Sequence, residues 1–449
     1  MVNEYSAGAK VFKDAQSWFQ QIGNTLGVAQ CLQSLGDIHY ILNEYIAARD
    51  TLKIAQSQFQ YIGNMMGTAQ CLCSLSNIYC VLRNYSEAKK AITEAEKQFQ
   101  QIGNKRGTAQ CLQSQSNIQI SLHNYSAARE ALISAQSQFQ HIGDKRGAAQ
   151  CLKSLGHIHS TLNEYSAATK VLRDAQNLFE QIGDKLGTAQ CLHTLGNIHS
   201  QLNEYSKARE TLKETRTQQQ FQQIGDKLGV AQCLQSLGDI HYMLNEYIAA
   251  RDTLKNAQSQ FQYIGNVTGT AQCLCSLSNI YCALRNYSEA KKAITEAEKQ
   301  FKQIGDKRGT AQCLQSQSNM QISLHNYSAA REGLKNAQSQ FQHIGDKRGA
   351  AQCLKSLGHI HNTINEYSTA TKILKDAQNL FEQIGDILET AQCLQSLGDI
   401  CSNLKEYSEA ISVFKEAQDL FDQIGLQNHA AYCSEQINCI DQLSKQNCS

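Results

Sequence analysis

One tripeptide sets the frame for this chain. Ala-Gln-Cys returns with its cysteine at Cys31, Cys71, Cys111, Cys151, Cys191, Cys233, Cys273, Cys313, Cys353 and Cys393. Every step is forty residues except Cys191 to Cys233, which is forty-two. A degraded form, Ala-Tyr-Cys, puts Cys433 at the same place. The repeating unit is Gly27–Met66, GVAQCLQSLGDIHYILNEYIAARDTLKIAQSQFQYIGNMM. Self-similarity at this period is the mark of a solenoid, in which each unit touches only its neighbours. It overrides the globular expectation of about two to four domains for a chain of this length.

Within the unit the apolar residues form two helical stripes. Cys31, Leu35, Ile38 and Leu42 recur at i, i+4, i+7 and i+11, with Leu32 alongside. Tyr45, Ala48, Leu52, Ala55, Phe59 and Ile62 form the second stripe. The spacing predicts a helix A over about 26–42 and a helix B over about 45–62. Asn43-Glu44 between them is a short connection that forces the two antiparallel. Gly63 stands where a C′ glycine belongs, and Asn24, Asp144 and Asp184 stand where N-caps belong. Small residues (Ala48, Ala55 and Gly36 with their equivalents) set a close approach of the helices, and Phe59 with its equivalents fills the gap. No hairpin buries both its faces alone, so stability comes from stacking. Proline is absent, so nothing of that kind kinks or stops a helix.

Leu32, Leu35, Gly36, Tyr45, Ala48, Leu52 and Ala55 together follow the tetratricopeptide-repeat pattern. The unit resembles the longer repeats of kinesin light chains and Leu-Gly-Asn adaptors, and the repeat tails of fungal STAND-type receptors. It departs from the family in having His39 where Tyr is frequent, in lacking the Pro after helix B, and in a longer helix B. The resemblance implies an all-α, right-handed superhelix of antiparallel helix pairs. It also implies a protein–protein interaction scaffold that holds a partner segment in a concave groove. The alternative it leaves open is a sensing or autoinhibitory arm of a STAND-type ATPase whose nucleotide-binding part lies elsewhere.

Along the chain, residues 1–24 read as an orphan helix B, since Asn3-Glu4-Tyr5 matches Asn43-Glu44-Tyr45. Its uncovered apolar face predicts either a fragment of a longer protein or self-association. Repeats 1–5 span 25–224 and repeats 6–10 span 225–424. These two blocks are near-copies at an offset of 202: Leu26–Tyr61 and Leu228–Tyr263 differ only where Ile41 faces Met243 and Ile54 faces Asn256. Oddities are copied too, with Ser76 and Ser278 in place of Gly and Gln115 and Gln317 in place of Leu. The two extra residues fall within Thr215–Gln220, which predicts a local irregularity between Lys213 and Phe221. Residues 425–449 read as a more polar capping helix and tail.

Several chemistries are excluded or disfavoured. A net charge of +1 gives no field for nucleic acid or an anionic membrane. No apolar run is long enough to span a bilayer, and the N-terminus has no secretory signal pattern. The expected setting is cytoplasmic. The Ala-Gln-Cys cysteines occupy equivalent places on helices roughly 8–10 Å apart, too far for disulfides with one another. They read as buried thiols in a reducing compartment. In the pairs His157/His159, His359/His361, Cys71/Cys73 and Cys273/Cys275 the two side chains diverge on a helix, so neither pair type holds a metal. Gly-Asp-Lys-Arg-Gly lacks the Gly-Lys-Ser/Thr end of a phosphate loop and reads as a charged turn. No nucleophile–base–acid set stands out, so neither an enzyme nor a cofactor is expected.

A third stripe on helix A is polar: Gln30, Gln33, Asp37 and Tyr40. Its two central positions are Gln33/Asp37, Cys73/Asn77, Gln113/Asn117, Lys153/His157, His193/Asn197, Gln235/Asp239, Cys275/Asn279, Gln315/Asn319, Lys355/His359 and Gln395/Asp399. Solvated helix faces favour Glu and Lys, whereas this one favours side chains that both donate and accept. The resemblance places these positions in the groove. The candidate partner-binding residues are therefore Gln33, Asp37, Asn77, Gln113, Asn117, Lys153, His157, His193, Asn197, Gln235, Asp239, Asn279, Gln315, Asn319, Lys355, His359 and Asp399.

Overall fold

Each helix begins and ends where a short polar segment tells it to. The Asn24 side chain accepts from the Gly27 amide at 2.9 Å, and Asn64, Asp144 and Asp184 repeat that bond at the starts of later A helices. Such a cap is worth about 1 kcal/mol. Helix B ends two residues before a left-handed glycine, as at Tyr61 before Gly63 with φ +70°. The A–B turn uses a left-handed residue as well, but not glycine: Asn43, Arg83, His123, Asn245, Arg285, His325, Asn365 and Lys405 all have φ between 56° and 62°. Neither Arg83 nor Lys405 is a residue type that favours this conformation.

The computed structural model describes residues 2–162, 164–202, 204–213, 217–424 and 426–446. Among these there are 23 α-helices and no strand. The fold is all-α, a tetratricopeptide-type solenoid of consecutive antiparallel helix pairs. Helix A of repeat 1 is Thr25–Ile41 and its helix B is Tyr45–Tyr61, and the same 17-residue lengths recur in most later pairs. The chain divides into two compact units, Met1–Cys191 and Leu192–Ser449.

Packing inside a pair and between pairs follows one scheme. Gly36 faces Leu52 so closely that a Cβ on Gly36 would lie 2.5 Å from Leu52 Cγ. Ala48, Leu52 and Ala55 are fully buried. Phe59 reaches forward onto Gly67 at the start of the next helix A, where a Cβ would lie 2.4 Å from its ring. Burial of each such Phe contributes roughly 1.5–3 kcal/mol. Where Ser76 replaces the glycine, its hydroxyl donates to the Ala88 carbonyl at 3.0 Å. Where Gln115 replaces leucine, its amide donates to Glu96 at 2.8 Å, and Gln317 does the same to Glu298 at 2.9 Å. The copied oddities thus carry their own partners.

At the two-residue insertion, helix Tyr205–Lys213 lies on one side and helix Thr217–Gln223 on the other. Thr215, with residues 214–216, lies outside the described residues. Thr217 is buried and its hydroxyl donates to the Thr211 carbonyl at 2.9 Å. Phe221 packs on Gly229 as Phe179 packs on Gly187. In the first helix, Val2–Gln21, Val11 and Trp18 are exposed, as is Ile22 just beyond it. After Leu426, helix Gln427–Gln446 buries Ala430, Cys433 and Ile440.

Candidate partner-binding face

The polar stripe follows from the packing scheme. Helix A spends Cys31, Leu32, Leu35 and Ile38 on the core. Residues two positions on from these buried ones emerge beside the following helix A instead. Gln33, Asp37, Asn77, Gln113, Lys153, His193, Asn197, Gln235, Asp239, Asn279, Gln315, Lys355 and Asp399 are all half-buried. Asn117, His157, Asn319 and His359 are exposed.

Many of these side chains are joined across repeats. Gln33 donates to Gln70, and Gln235 to Gln272, each at 3.4 Å. Ser74 donates to Asp37 at 3.0 Å, and Tyr432 donates to Asp399 at 2.9 Å. His193 Nε2 lies 3.4 Å from the Ser236 hydroxyl. Lys153 Nζ donates to Gln190 Oε1 at 2.6 Å. Lys355 Nζ donates to Gln392 Oε1 at 2.5 Å and to Glu389 Oε2 at 2.7 Å. No such cross-repeat bond is seen among the described residues for Asn77, Asn117, Asn279 or Asn319. The stripe therefore contains both braced and unbraced hydrogen-bonding groups.

Several charged members are desolvated in the same way. Desolvation pushes Asp37 and Asp399 above the usual carboxylate range, with the Ser74 and Tyr432 hydrogen bonds pulling back. Asp239 is pushed up to about 6 by desolvation, against the Ser276 bond. Desolvation lowers Lys153, offset in part by Cys191 and Asp184. It also lowers His157, assisted by the Lys153 ammonium, and His359, assisted by Lys355 and opposed by Glu389. His157 and His359 have exposed surface yet still feel this desolvation.

Three features lay outside the spacing argument. His39, at the family's Tyr position, places Nδ1 2.5 Å from Glu44 at the start of helix B. His199 meets Glu204 at 2.6 Å, and His159, His241 and His361 meet Glu164, Glu246 and Glu366 in the same way. The second histidine of each His-x-His pair thus ties helix A to helix B. The Lys-Arg-Gly segments open A helices rather than forming turns, and there Arg106 and Arg308 pair with the next N-cap aspartates, Asp144 at 2.9 Å and Asp346 at 2.7 Å. Cys73 reaches across to Cys111, with sulfurs 3.7 Å apart, and Cys275 reaches Cys313 at 3.5 Å. Divergence of Cys71 and Cys73 on their own helix excludes a pair between them and says nothing about the next helix. The Ala-Gln-Cys cysteines themselves are buried and free.

Among the described residues no group of three or more His, Cys, Asp and Glu is placed to hold a metal ion. No helix among them is long and apolar enough to cross a membrane.

Fold and stripe together define a tetratricopeptide-type helical-repeat protein. Comparison with protein families makes the assignment narrower. The sequence model of the soluble NSF attachment protein family, SNAP, matches residues 48–225 and 249–430, well over half of the chain, and the chain belongs to that family. No curated protein matches. Among solved structures, the fold is similar to a Rap protein complexed with competence and sporulation factor, with 14% identity, a TM-score of 0.59, and coverage of 86% of this chain and 99% of that one. The Rap conjugation gene regulator of plasmid pLS20, in complex with the Phr* peptide, shares 12% identity at a TM-score of 0.55, covering 74% and 97%. Aspartyl phosphate phosphatase F from Bacillus subtilis shares 14% identity at a TM-score of 0.54, covering 76% and 93%. At these identities the likeness is one of fold.

Proposed function

We propose that this chain is a protein-interaction scaffold whose helix-A stripe holds an extended partner segment by hydrogen bonds. The observation that carries the reading is the stripe itself. Amide, imidazole and carboxylate groups stand at one face of successive helices, hemmed by protein but reached by water. Membership of an attachment-protein family supports it. So does a fold like that of two proteins solved with a bound factor or peptide, and these favour the scaffold over an arm of a STAND-type ATPase. No catalytic role is carried over from the phosphatase. A cytoplasmic setting fits the buried free thiols, and the exposed Val11, Trp18 and Ile22 support self-association through the first helix.

The test replaces Asn117 and Asn319 by Ala. Both are exposed, so folding is spared. A peptide selected from a display library on the intact chain should bind the double variant about tenfold or more weakly, the loss expected for one buried hydrogen bond or more. Unchanged affinity would show the stripe to be solvated surface only.

A further inference from the structure

Among the differences between the two blocks is one at a position where packing argues for glycine. Nine helix-A starts carry glycine: Gly27, Gly67, Gly107, Gly147, Gly187, Gly229, Gly269, Gly309 and Gly349. Each lies so near a Phe that a Cβ would come within 2.6 Å of the ring. The tenth start has Glu389, the equivalent of Gly187. Its N-cap bond is correspondingly longer: Asp386 accepts from the Glu389 amide at 3.3 Å, against 2.9 Å from Gly187 to Asp184. A side chain has been placed where the repeat otherwise excludes one.

What that side chain touches is Lys355. The Glu389 carboxylate lies 2.7 Å from the Lys355 ammonium, and both are half-buried. Lys153, the equivalent lysine, has Gly187 in that place and bonds a neutral amide, Gln190. Asp184, which also acts on it after Cys191, caps Gly187 and faces Arg146 at 3.5 Å. His157 stands one turn along the same face. A half-buried ammonium with only a neutral partner interacts strongly with any carboxylate brought to it, because the surroundings screen poorly.

We propose that Lys153, with His157 beside it, anchors an Asp or Glu side chain of the partner segment, and that at the duplicate site Glu389 supplies that carboxylate from within. This rests on the stripe being the partner-binding face. The first block then reads an acidic residue, and the second is closed to one.

The probe is a random linear peptide library displayed against the intact chain, in three forms: unaltered, Lys153→Gln and Glu389→Gly. The unaltered chain should enrich peptides carrying Asp or Glu. For a selected synthetic peptide, Lys153→Gln should weaken binding about tenfold or more, and replacing the peptide's acidic residue by its amide should weaken it equally. Combining both changes should add little further loss, which separates direct pairing from general damage. Glu389→Gly should raise the number of peptides bound per chain from one to two. If no peptide is enriched, the stripe reading falls and this inference with it. If peptides bind through Asn117 or Asn319 but ignore Lys153, or if Glu389→Gly opens no second site, the stripe reading stands and the acidic anchor is wrong.

Discussion

Gly187 and Glu389 hold the same position in two blocks that are otherwise near-copies, and they serve opposite demands. Gly187 lets Phe179 close onto the start of helix A. Glu389 gives up that fit and neutralises Lys355. Packing has been kept identical nearly everywhere, while the polar face has been allowed to change at a packing cost. The difference teaches that the core and the stripe of a repeat answer to separate constraints, even when they share a residue.

The comparison is broken or sharpened by perturbing equivalent sites. The largest effect should come from the shared framework. Phe139→Ala and Phe341→Ala each remove a buried ring, and each should destabilise its surroundings by about 3–5 kcal/mol. Hydrogen exchange read repeat by repeat would measure this, and losses differing greatly between the blocks would deny their equivalence. Next is Gly187→Glu, which should cost about 1–3 kcal/mol through overpacking against Phe179. Glu389→Gly should cost less, since it restores the common fit. Equal losses in thermal unfolding would mean that the glycine position is not set by the ring.

Thiol chemistry probes the blocks without mutation. Burial pushes Cys71, Cys151, Cys191, Cys233, Cys273, Cys353 and Cys393 up to about 12, leaving little thiolate at neutral pH. These should alkylate at least about a hundredfold more slowly than exposed Cys439 until the chain is unfolded. Mild oxidation with diamide, which takes one hydrogen from each thiol, should cross-link Cys73 to Cys111 and Cys275 to Cys313 alike. Peptide mapping that finds only one of the two links would show that the blocks differ here as well.

The smallest effect concerns the half-buried carboxylate of Asp239. The folded-state pKa of Asp239 is about 6, above its value of about 3.9 when unfolded. Its charge is therefore disfavoured by folding. The resulting deficit is full above pH 6 and disappears as pH falls through 6 toward 4. Asp239→Asn should raise the melting temperature at pH 8 and change it little at pH 4. Asp37→Asn should act with the same sign, since its shift has the same direction and cause. A melting temperature that falls at pH 8 would contradict the assigned desolvation.

The repeat was legible because its signals are local. Cys31 to Leu42 and Tyr45 to Ile62 announce two helices, and Asn24 and Gly63 mark their limits, all within a single unit. The stripe was legible as a list of positions but not as a set of contacts. Lys355 meets Glu389 and Cys73 meets Cys111 across a repeat boundary, and spacing on one helix carries no information about the next. The left-handed turn residues escaped for a different reason. Arg83 and Lys405 have no intrinsic taste for that conformation, and the short A–B connection imposes it.

Nine helix-B rings meet the glycine of the next helix A in one repeated geometry, and this makes those joints interchangeable. A chain that lost or gained one whole unit of forty residues would join surfaces that already fit each other. Length can then be edited in whole units without any new interface having to be invented. Glu389 marks a joint that such an exchange would not leave neutral, because moving it carries a charge to a different lysine or to none.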